Sequence, residues 1–144
     1  MTTVNVLKQA LADTYALYLK TQNYHWNITG PNFKPLHLML EEQYTELALA
    51  VDTIAERIRA LGEKAPASFS KFAAMTKIKD GNENASADEM IADLLHSHEQ
   101  VVHVLKQVDV AADKVVDMGT ENIIDDRIQA HQKTMWMLRA TLGK

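Results

Sequence analysis

Residues 35–62 read PLHLMLEEQYTELALAVDTIAERIRALG, and the architecture of the chain can be worked out from this stretch. Apolar residues recur in it at alternating steps of three and four, which is the period of one face of an α-helix. They are Leu36, Leu40, Tyr44, Leu47, Val51, Ile54, Ile58 and Leu61. Pro35 suits the first turn of a helix, where its missing N–H leaves no bond unmade. The stretch therefore predicts one long amphipathic helix, helix B, over about 35–62.

Three further segments show the same helical period. We predict helix A over about 3–29, helix C over about 87–116 and helix D over about 121–142. The 5 glycines and 3 prolines cluster at the joints and leave these long segments uninterrupted. Ser86 with Glu89 predicts a capping box for helix C, and Thr120 predicts the N-cap of helix D.

The lengths of the connections predict how the helices are arranged. The joints at residues 30–34 and around Gly119 are short, so helices A and B, and helices C and D, should be antiparallel neighbours. Residues 63–85 are long enough to return along the bundle, and their apolar side chains predict a short extra helix. These side chains are Phe69, Phe72 and Met75. An all-α four-helix bundle with one long B–C crossover is the ferritin-like arrangement, and we expect it to occupy residues 1–144 as a single domain.

Composition excludes several functional classes. The chain has no cysteine, which rules out disulfide scaffolds, thiolate metal sites and iron–sulfur clusters. Its longest apolar runs are five residues, too short to span a membrane, and no signal peptide opens the chain, so we expect a cytoplasmic protein. Lys and Arg number 15 against 19 Asp and Glu, and neither end forms a basic arm. The resulting net charge of −4 disfavours binding to DNA by charge alone.

Helix B carries two pairs of residues of metal-ligand type: His37 with Glu41, and Asp52 with Glu56. Each pair is spaced i, i+4, so its members share a helix face and can grip one ion. Glu41 and Asp52 point almost the same way, because the residues between them turn the helix about 20° beyond three full turns. They are nevertheless about 16 Å apart along the axis, so one copy of the helix cannot bring both pairs to one small site.

A two-fold axis would overcome this separation. If helix B packs antiparallel against its own copy near residues 46 and 47, the first pair of one chain faces the second pair of the other, giving two identical shared sites. The small residues Thr45 and Ala48 permit close approach on this face, and His25 at the end of helix A is the natural further ligand. Imidazole with carboxylate suits iron, manganese or zinc rather than copper(I). Solvated acidic residues and a hydrogen-bonded core histidine remain the alternative interpretation.

Three motifs resemble those of the Dps family, the mini-ferritins named as DNA-binding proteins from starved cells. The motifs are Asn23-Tyr24-His25-Trp26-Asn27, the stretch from His37 to Tyr44, and the stretch from Asp52 to Ile58. The resemblance extends over essentially the whole chain, and the ligand spacing matches the family's ferroxidase pattern position by position. Glu41 departs from it, because many members carry aspartate there. No Glu-x-x-His occurs, so the di-iron site that larger ferritins hold within one subunit is not expected.

The resemblance implies a hollow homo-dodecamer that oxidises Fe(II), preferably with hydrogen peroxide, and stores the ferric product, protecting DNA and cell from oxidative damage. Iron would bind between two subunits, with three ligands from one chain and two from its partner, in agreement with the axial distance. These catalytic metal ligands are His25, His37 and Glu41 from one subunit, and Asp52 and Glu56 from the other. Trp26, next to His25, is a candidate quencher of a stray one-electron oxidant; an ordinary interface aromatic is the alternative.

The acidic residues at the joint between helices C and D have two interpretations. In the family, acidic residues at the C–D joint line pores that admit iron, which makes Asp113, Asp117 and Glu121 candidates. As an alternative, Glu121 with its neighbours Asp125 and Asp126 complements the dipole of helix D.

His98 and His131 fall in core stripes and are predicted to be buried packing groups. A solvated face is predicted for His96, Glu99 and His103.

Two other functional classes stay open. One is a DNA-condensing nucleoid protein whose iron site is incidental, although no basic tail supports it and no DNA-binding residue can be named. The other is a helical signalling or adaptor module without metal, which would require the match of five ligands to be a coincidence.

Overall fold

A computed structural model describes residues 1–144 as five α-helices without a β-strand. The helices are α1 Thr3–Asn27, α2 Phe33–Ala60, α3 Phe69–Met75, α4 Ala87–Asp113 and α5 Met118–Thr141. Helices α1, α2, α4 and α5 are the predicted helices A to D, and α3 is the predicted short helix of the crossover. None of the five combines the length and apolar character that a membrane crossing demands.

Side-chain contacts establish the directions of α1, α2 and α4 relative to one another. Helices α1 and α2 are antiparallel, because the His25 ring stacks on His37 beside their connecting turn and Lys8 pairs with Glu63 at the far end.

Helices α1 and α4 are also antiparallel. Tyr24 Oη donates a hydrogen bond to Asp93 near the start of α4, whereas Lys20 Nζ, one turn earlier in α1, reaches Ser97 one turn later in α4. Since α2 and α4 both run opposite to α1, they are parallel to each other. This is the geometry that the long crossover requires, and it confirms the predicted ferritin-like bundle.

The core is one cluster of 21 buried apolar residues drawn from the four long helices, from Ile28 in the turn after α1 and from Ile78 of the crossover. The predicted stripe of α2 supplies Leu40, Leu47, Ile54 and Ile58 to it, each with 1 % of its surface exposed or less. Burial of each such side chain stabilises the fold by about 1.5–3 kcal/mol relative to leaving it in water. The opposite face of α2 stays exposed, and there the candidate carboxylate ligands lie.

The helix ends differ slightly from their predicted positions. Helix α1 ends at Asn27, because Ile28 is already extended, with φ −64° and ψ 140°. Helix α4 ends at Asp113, and Val116 in the following turn has a left-handed φ of 56°. The predicted capping box is confirmed: Ser86 Oγ accepts from the backbone N–H of Glu89, whose carboxylate accepts from the backbone N–H of Ser86.

The predicted N-cap of α5 was wrong. Asp117, not Thr120, caps the helix, and its carboxylate accepts a hydrogen bond from the backbone N–H of Thr120. Arg57 of α2 donates to the same carboxylate at 2.7 Å and to Thr120 Oγ1 at 3.0 Å. Gly119 makes room for this guanidinium, because a Cβ there would lie 2.9 Å from Arg57 Nη2. The joint is therefore fixed by a residue from the neighbouring helix.

Candidate metal centre

His25 and His37 meet where the turn between α1 and α2 brings the two helices together. His25 lies in the last turn of α1 and is buried, whereas His37 lies in the second turn of α2 and is half-buried. Their rings stack with centroids 3.8 Å apart and an angle of 11° between the planes. The structure thus brings together two of the five ligands that the sequence predicted.

Each of these imidazoles is hydrogen-bonded to the backbone of the other residue. His25 Nδ1 lies 2.7 Å from the carbonyl oxygen of His37, and His37 Nδ1 lies 2.6 Å from the carbonyl oxygen of His25. A carbonyl oxygen can only accept, so Nδ1 carries a proton in both rings. In its neutral form, each ring therefore has its lone pair on Nε2. A metal-binding histidine usually donates a hydrogen bond from the ring nitrogen that does not bind the metal. This hydrogen bond fixes the tautomer and the orientation of the ring.

Two aromatic side chains flank the stacked pair. The Tyr44 ring meets the His25 ring edge to face, with centroids 5.1 Å apart, and Phe33 stacks on His37 at 5.1 Å. Sequence reasoning placed Tyr44 in the core stripe and did not assign it to the site. Its spacing of seven residues from His37 puts both on one face of α2 and would have indicated this contact.

The three candidate carboxylates lie on the exposed face of α2. Glu41, Asp52 and Glu56 are all exposed. Within one chain, no group of three or more His, Asp or Glu side chains is close enough to hold a metal ion. One chain therefore carries the candidate ligands as separate parts: the stacked His25 and His37, then Glu41 one turn along α2 from His37, and Asp52 and Glu56 further along the same helix.

Small and apolar residues occupy the exposed face between these parts. Thr45 and Ala48 are exposed there, and Leu49 leaves 68 % of its surface in water. Thr45 Oγ1 donates back to the carbonyl oxygen of Glu41 at 2.7 Å, which keeps the hydroxyl on its own helix. Trp26, the candidate radical quencher, is 62 % exposed at the end of α1.

A second histidine pair, His98 and His131, lies in the bundle core, and both rings are buried as predicted. Arg127 Nη2 donates to His131 Nε2 at 3.1 Å, so the proton of the neutral His131 ring is on Nδ1. That proton is donated to His98 Nδ1, 2.9 Å away, which leaves the His98 proton on Nε2. No lone pair of either ring is free for a metal, and the pair is structural.

Burial keeps this core pair neutral. Burial and the nearby Arg127 guanidinium lower the pKa of His98 to about 3. Burial, then His98, then Arg127 lower the pKa of His131 well below its usual value. Arg127 is itself paired with Glu46 of α2, with 3.0 Å between Nη2 and Oε1. The network thus joins three helices, α2, α4 and α5.

The acidic joint between α4 and α5 contains carboxylates in two different environments. Burial alone would raise the pKa of Asp117, but hydrogen bonds from Thr120 and the Arg57 guanidinium outweigh it and lower the pKa. Desolvation and then the negative charges of Asp113 and other neighbouring acids raise the pKa of Glu121. Asp117 is therefore engaged in capping, whereas Asp113 is exposed and Glu121 lies in a field of like charge.

The third histidine-bearing face is solvated, as predicted. His96, Glu99 and His103 are all exposed on α4. His96 Nδ1 lies 3.8 Å from a carboxylate oxygen of Glu99, a distance typical of a loose surface pair.

Comparison with known proteins gives the family. The sequence pattern of the family described as "Ferritin-like domain" matches residues 4–144. The "DNA protection during starvation protein" of Brevibacillus brevis is 34 % identical over 137 residues, covering 95 % of this chain and 92 % of that protein. The chain belongs to the Dps family of ferritin-like proteins. The membership predicted from the three motifs is thereby confirmed.

Two further proteins are similar to this chain over nearly its whole length. An uncharacterised low temperature-induced protein of Nostoc sp. is 38 % identical over 139 residues, covering 95 % of this chain and 78 % of that protein. The crystal structure of the Dps protein from Vibrio cholerae O1 is similar to this chain with a TM-score of 0.94 and 33 % identity, over 97 % of this chain and 88 % of that one. That protein is described as a member of a broad superfamily of ferritin-like diiron-carboxylate proteins.

Proposed function

We propose that this protein is a ferroxidase and iron-storage mini-ferritin, whose Fe(II) substrate binds at centres shared by two subunits. The observation that carries the proposal is the reciprocal hydrogen bonding of His25 and His37, which leaves both Nε2 lone pairs free. Exposed carboxylates lie on the same helix as His37. Imidazole nitrogen with carboxylate oxygen suits iron, and carboxylates favour the harder Fe(III) product. The description of the Vibrio cholerae relative as a diiron-carboxylate protein supports the same chemistry.

The separation of the candidate ligands along α2 supports a site shared by two subunits. Glu41 and Asp52 are about 16 Å apart along one helix, but an antiparallel copy of α2 places Asp52 and Glu56 of the partner opposite Glu41 and His37. The exposed face between them carries Thr45, Ala48 and Leu49, which suits close packing of two helices. Family membership supports the further assembly of six such dimers into a hollow homo-dodecamer that holds the ferric product.

The reaction consumes hydrogen peroxide without releasing radicals. Two Fe(II) ions each give one electron, the O–O bond breaks, and two protons complete the formation of two water molecules. His25 and His37 position iron through Nε2, and the carboxylates offset the charge that rises on oxidation. Because the two ions are adjacent, both electrons reach the same peroxide molecule, so no radical is released.

Carboxylates at the α4–α5 joint are proposed to guide Fe(II) toward the interior. Asp113 and Glu121 contribute to a cluster of negative charge, and such clusters raise the local concentration of cations. Asp117 belongs to this cluster, but its hydrogen bonds with Arg57 and Thr120 give it a structural role as well.

Protection of DNA is proposed to arise from removal of Fe(II) and peroxide in the cytoplasm rather than from coating of the DNA. The net charge of −4 opposes binding to a polyanion. A salt-titrated gel-shift experiment without divalent cations tests this point. We expect free DNA at physiological salt, and strong retardation under those conditions would favour the DNA-condensing function instead.

The ferroxidase proposal is tested by following Fe(II) oxidation with hydrogen peroxide in the assembled protein. We expect the double variant His25→Gly, Asp52→Ala to lose most of the oxidation rate, whereas His103→Gln on the solvated face retains it. A wild-type rate in the double variant would show that the centre lies elsewhere.

A further inference from the structure

An unbroken chain of seven aromatic rings runs from the proposed metal centre to the surface. In order, the rings are those of Phe33, His37, His25, Tyr44, Tyr18, Tyr15 and Phe72. Adjacent centroids are separated by between 3.8 Å and 6.0 Å. Tyr15 and Phe72 line a surface groove of about 640 Å³ between α1 and the crossover.

Three consecutive members of this chain are tyrosines. Tyr44 lies 5.1 Å from the ring of His25, Tyr18 lies 6.0 Å from Tyr44, and Tyr15 lies 5.7 Å from Tyr18. All three are half-buried. Packing alone accounts for rings at these distances, but phenylalanine would serve packing equally well. Unlike phenylalanine, each tyrosine carries a phenol group, which can give up one electron together with its proton.

The other aromatic residues near the centre lie outside this chain of rings. Tyr24 is buried and donates its hydroxyl hydrogen to Asp93 at 2.5 Å, between α1 and α4. Trp26 lines the same groove as Tyr15 but takes part in none of the ring contacts that make up the chain. The chain of rings therefore reaches the groove without either of these residues.

We propose that Tyr44, Tyr18 and Tyr15 form a relay that carries a one-electron oxidising equivalent away from the metal centre. The proposal rests on the ferroxidase function, because that reaction supplies the oxidant. When a single Fe(II) meets hydrogen peroxide, it gives one electron, the O–O bond breaks, and hydroxide and a hydroxyl radical form. Tyr44 transfers one electron and its phenolic proton to this radical, which becomes water, and a Tyr44 phenoxyl radical remains.

The same transfer then repeats outward. Tyr18 gives an electron to the Tyr44 phenoxyl, which regains a proton from solvent, while Tyr18 releases its own proton to solvent. Gln22 Nε2 donates a hydrogen bond to Tyr18 Oη at 3.1 Å, so the Tyr18 proton is directed elsewhere. Tyr15 restores Tyr18 in the same way. The radical ends beside the groove, where a thiol or another one-electron reductant from solution can restore the tyrosine by giving one electron and one proton.

The test is rapid-freeze electron paramagnetic resonance of the assembled protein, mixed with less than one Fe(II) per centre and then with hydrogen peroxide. Ring-deuterated tyrosine identifies the radical. We expect a tyrosyl radical in the wild type, its loss in Tyr44→Phe, and its confinement to Tyr44 in Tyr18→Phe. A spin trap in solution should capture severalfold more hydroxyl radical from Tyr44→Phe than from the wild type. Tyr24→Phe, the matched control, should give the wild-type signal.

Two measurements keep this proposal separate from the ferroxidase function. Oxidation of two Fe(II) per centre should be unchanged in Tyr18→Phe, because that ring touches no proposed ligand. If the wild type oxidises Fe(II) but forms no tyrosyl radical, or if Trp26→Phe alone abolishes the radical, the relay is wrong and the ferroxidase remains. If the wild type does not oxidise Fe(II), both proposals fail.

Discussion

His25 and His37 hold each other in place: the Nδ1–H of each imidazole is donated to the backbone carbonyl of the other. One pair of residues thus joins the last turn of α1 to the second turn of α2 and leaves both Nε2 atoms available to the proposed iron centre. Anchoring and the proposed iron ligation use different nitrogens of the same ring. Substitutions can therefore separate the two roles.

His37→Asn and His37→Ala should differ in stability but not in activity. Asparagine keeps an N–H donor near the position of Nδ1 and removes Nε2, whereas alanine removes both. We expect both variants to lose most Fe(II) oxidation, and only alanine to lose about 1 kcal/mol of unfolding free energy through the broken hydrogen bond. Urea unfolding at one protein concentration and the peroxide-dependent oxidation assay measure the two effects. Wild-type oxidation by His37→Asn would show that Nε2 is not a ligand.

The buried pair His98 and His131 should make the protein acid-sensitive. Both pKa values are lowered in the folded state, that of His98 to about 3, so the unfolded chain binds more protons below pH 6.5. Their contribution to stability is therefore complete above about pH 6.5 and is lost as the pH falls toward the folded-state pKa. Each histidine that stays neutral contributes a slope of about 1.4 kcal/mol per pH unit.

Urea unfolding between pH 7 and pH 5 measures this slope, because most carboxylates titrate at lower pH. His96→Gln, on the solvated face, should keep the slope of the wild type. A folded double variant, His98→Gln with His131→Gln, should flatten it. A stability that does not change over this range in the wild type would contradict the neutral pair.

The ion pair between Arg127 and Glu46 should respond unequally to loss of either partner. The Arg127 side chain is 7 % exposed and the Glu46 side chain 47 %. Glu46→Leu leaves a buried cation without a partner, and we expect it to cost about 2–3 kcal/mol after allowance for the exposed carboxylate. Arg127→Gln leaves a carboxylate that water can reach and keeps an N–H donor for His131 Nε2, so it should cost less. Thermal unfolding of the two variants compares them, and the reverse order would refute this account of the pair.

Asp117 should prove to be mainly a helix cap. Asp117→Ala removes the acceptor for the Thr120 N–H and the partner of Arg57, so we expect a loss of about 1–2 kcal/mol. Asp117→Asn keeps an oxygen acceptor and should retain most of the stability. If Asp113 and Glu121 guide iron, Asp113→Asn with Glu121→Gln should slow iron uptake without lowering the free energy of unfolding, because the change relieves repulsion between like charges. Iron uptake and urea unfolding, measured on the same preparations, separate these roles.

Much of the fold could be predicted from the sequence, because the signals are local. The period of Leu40, Leu47, Ile54 and Ile58 is contained within one helix and identifies its buried face. The capping box at Ser86 depends only on residues of the same turn. The long crossover could be predicted because glycines and prolines mark the helix ends. The number of residues between two predicted helices can then be counted in the sequence.

Features that depend on contacts between helices were less accessible. Asp117 and Thr120 are both good capping residues, and the choice between them involves Arg57, which lies on another helix. His25, at the end of helix A, was predicted as a further ligand with His37, but the mutual hydrogen bonds of the two residues depend on how the turn closes. Tyr18 and Tyr44 each fit the stripe of their own helix, and only the packed bundle shows that they touch.

The central claim is that each iron centre is built from two chains, and subunit complementation tests it most directly. His25→Gly and Asp52→Ala chains are unfolded together, reassembled, and assayed for Fe(II) oxidation with peroxide. A mixed dimer combines the intact histidine of one chain with the intact aspartate of the other, so random pairing should restore about a quarter of the wild-type rate. Each variant reassembled alone should stay inactive. A mixture as inactive as its separate components, although mixed dimers are present by native mass, would contradict the shared centre.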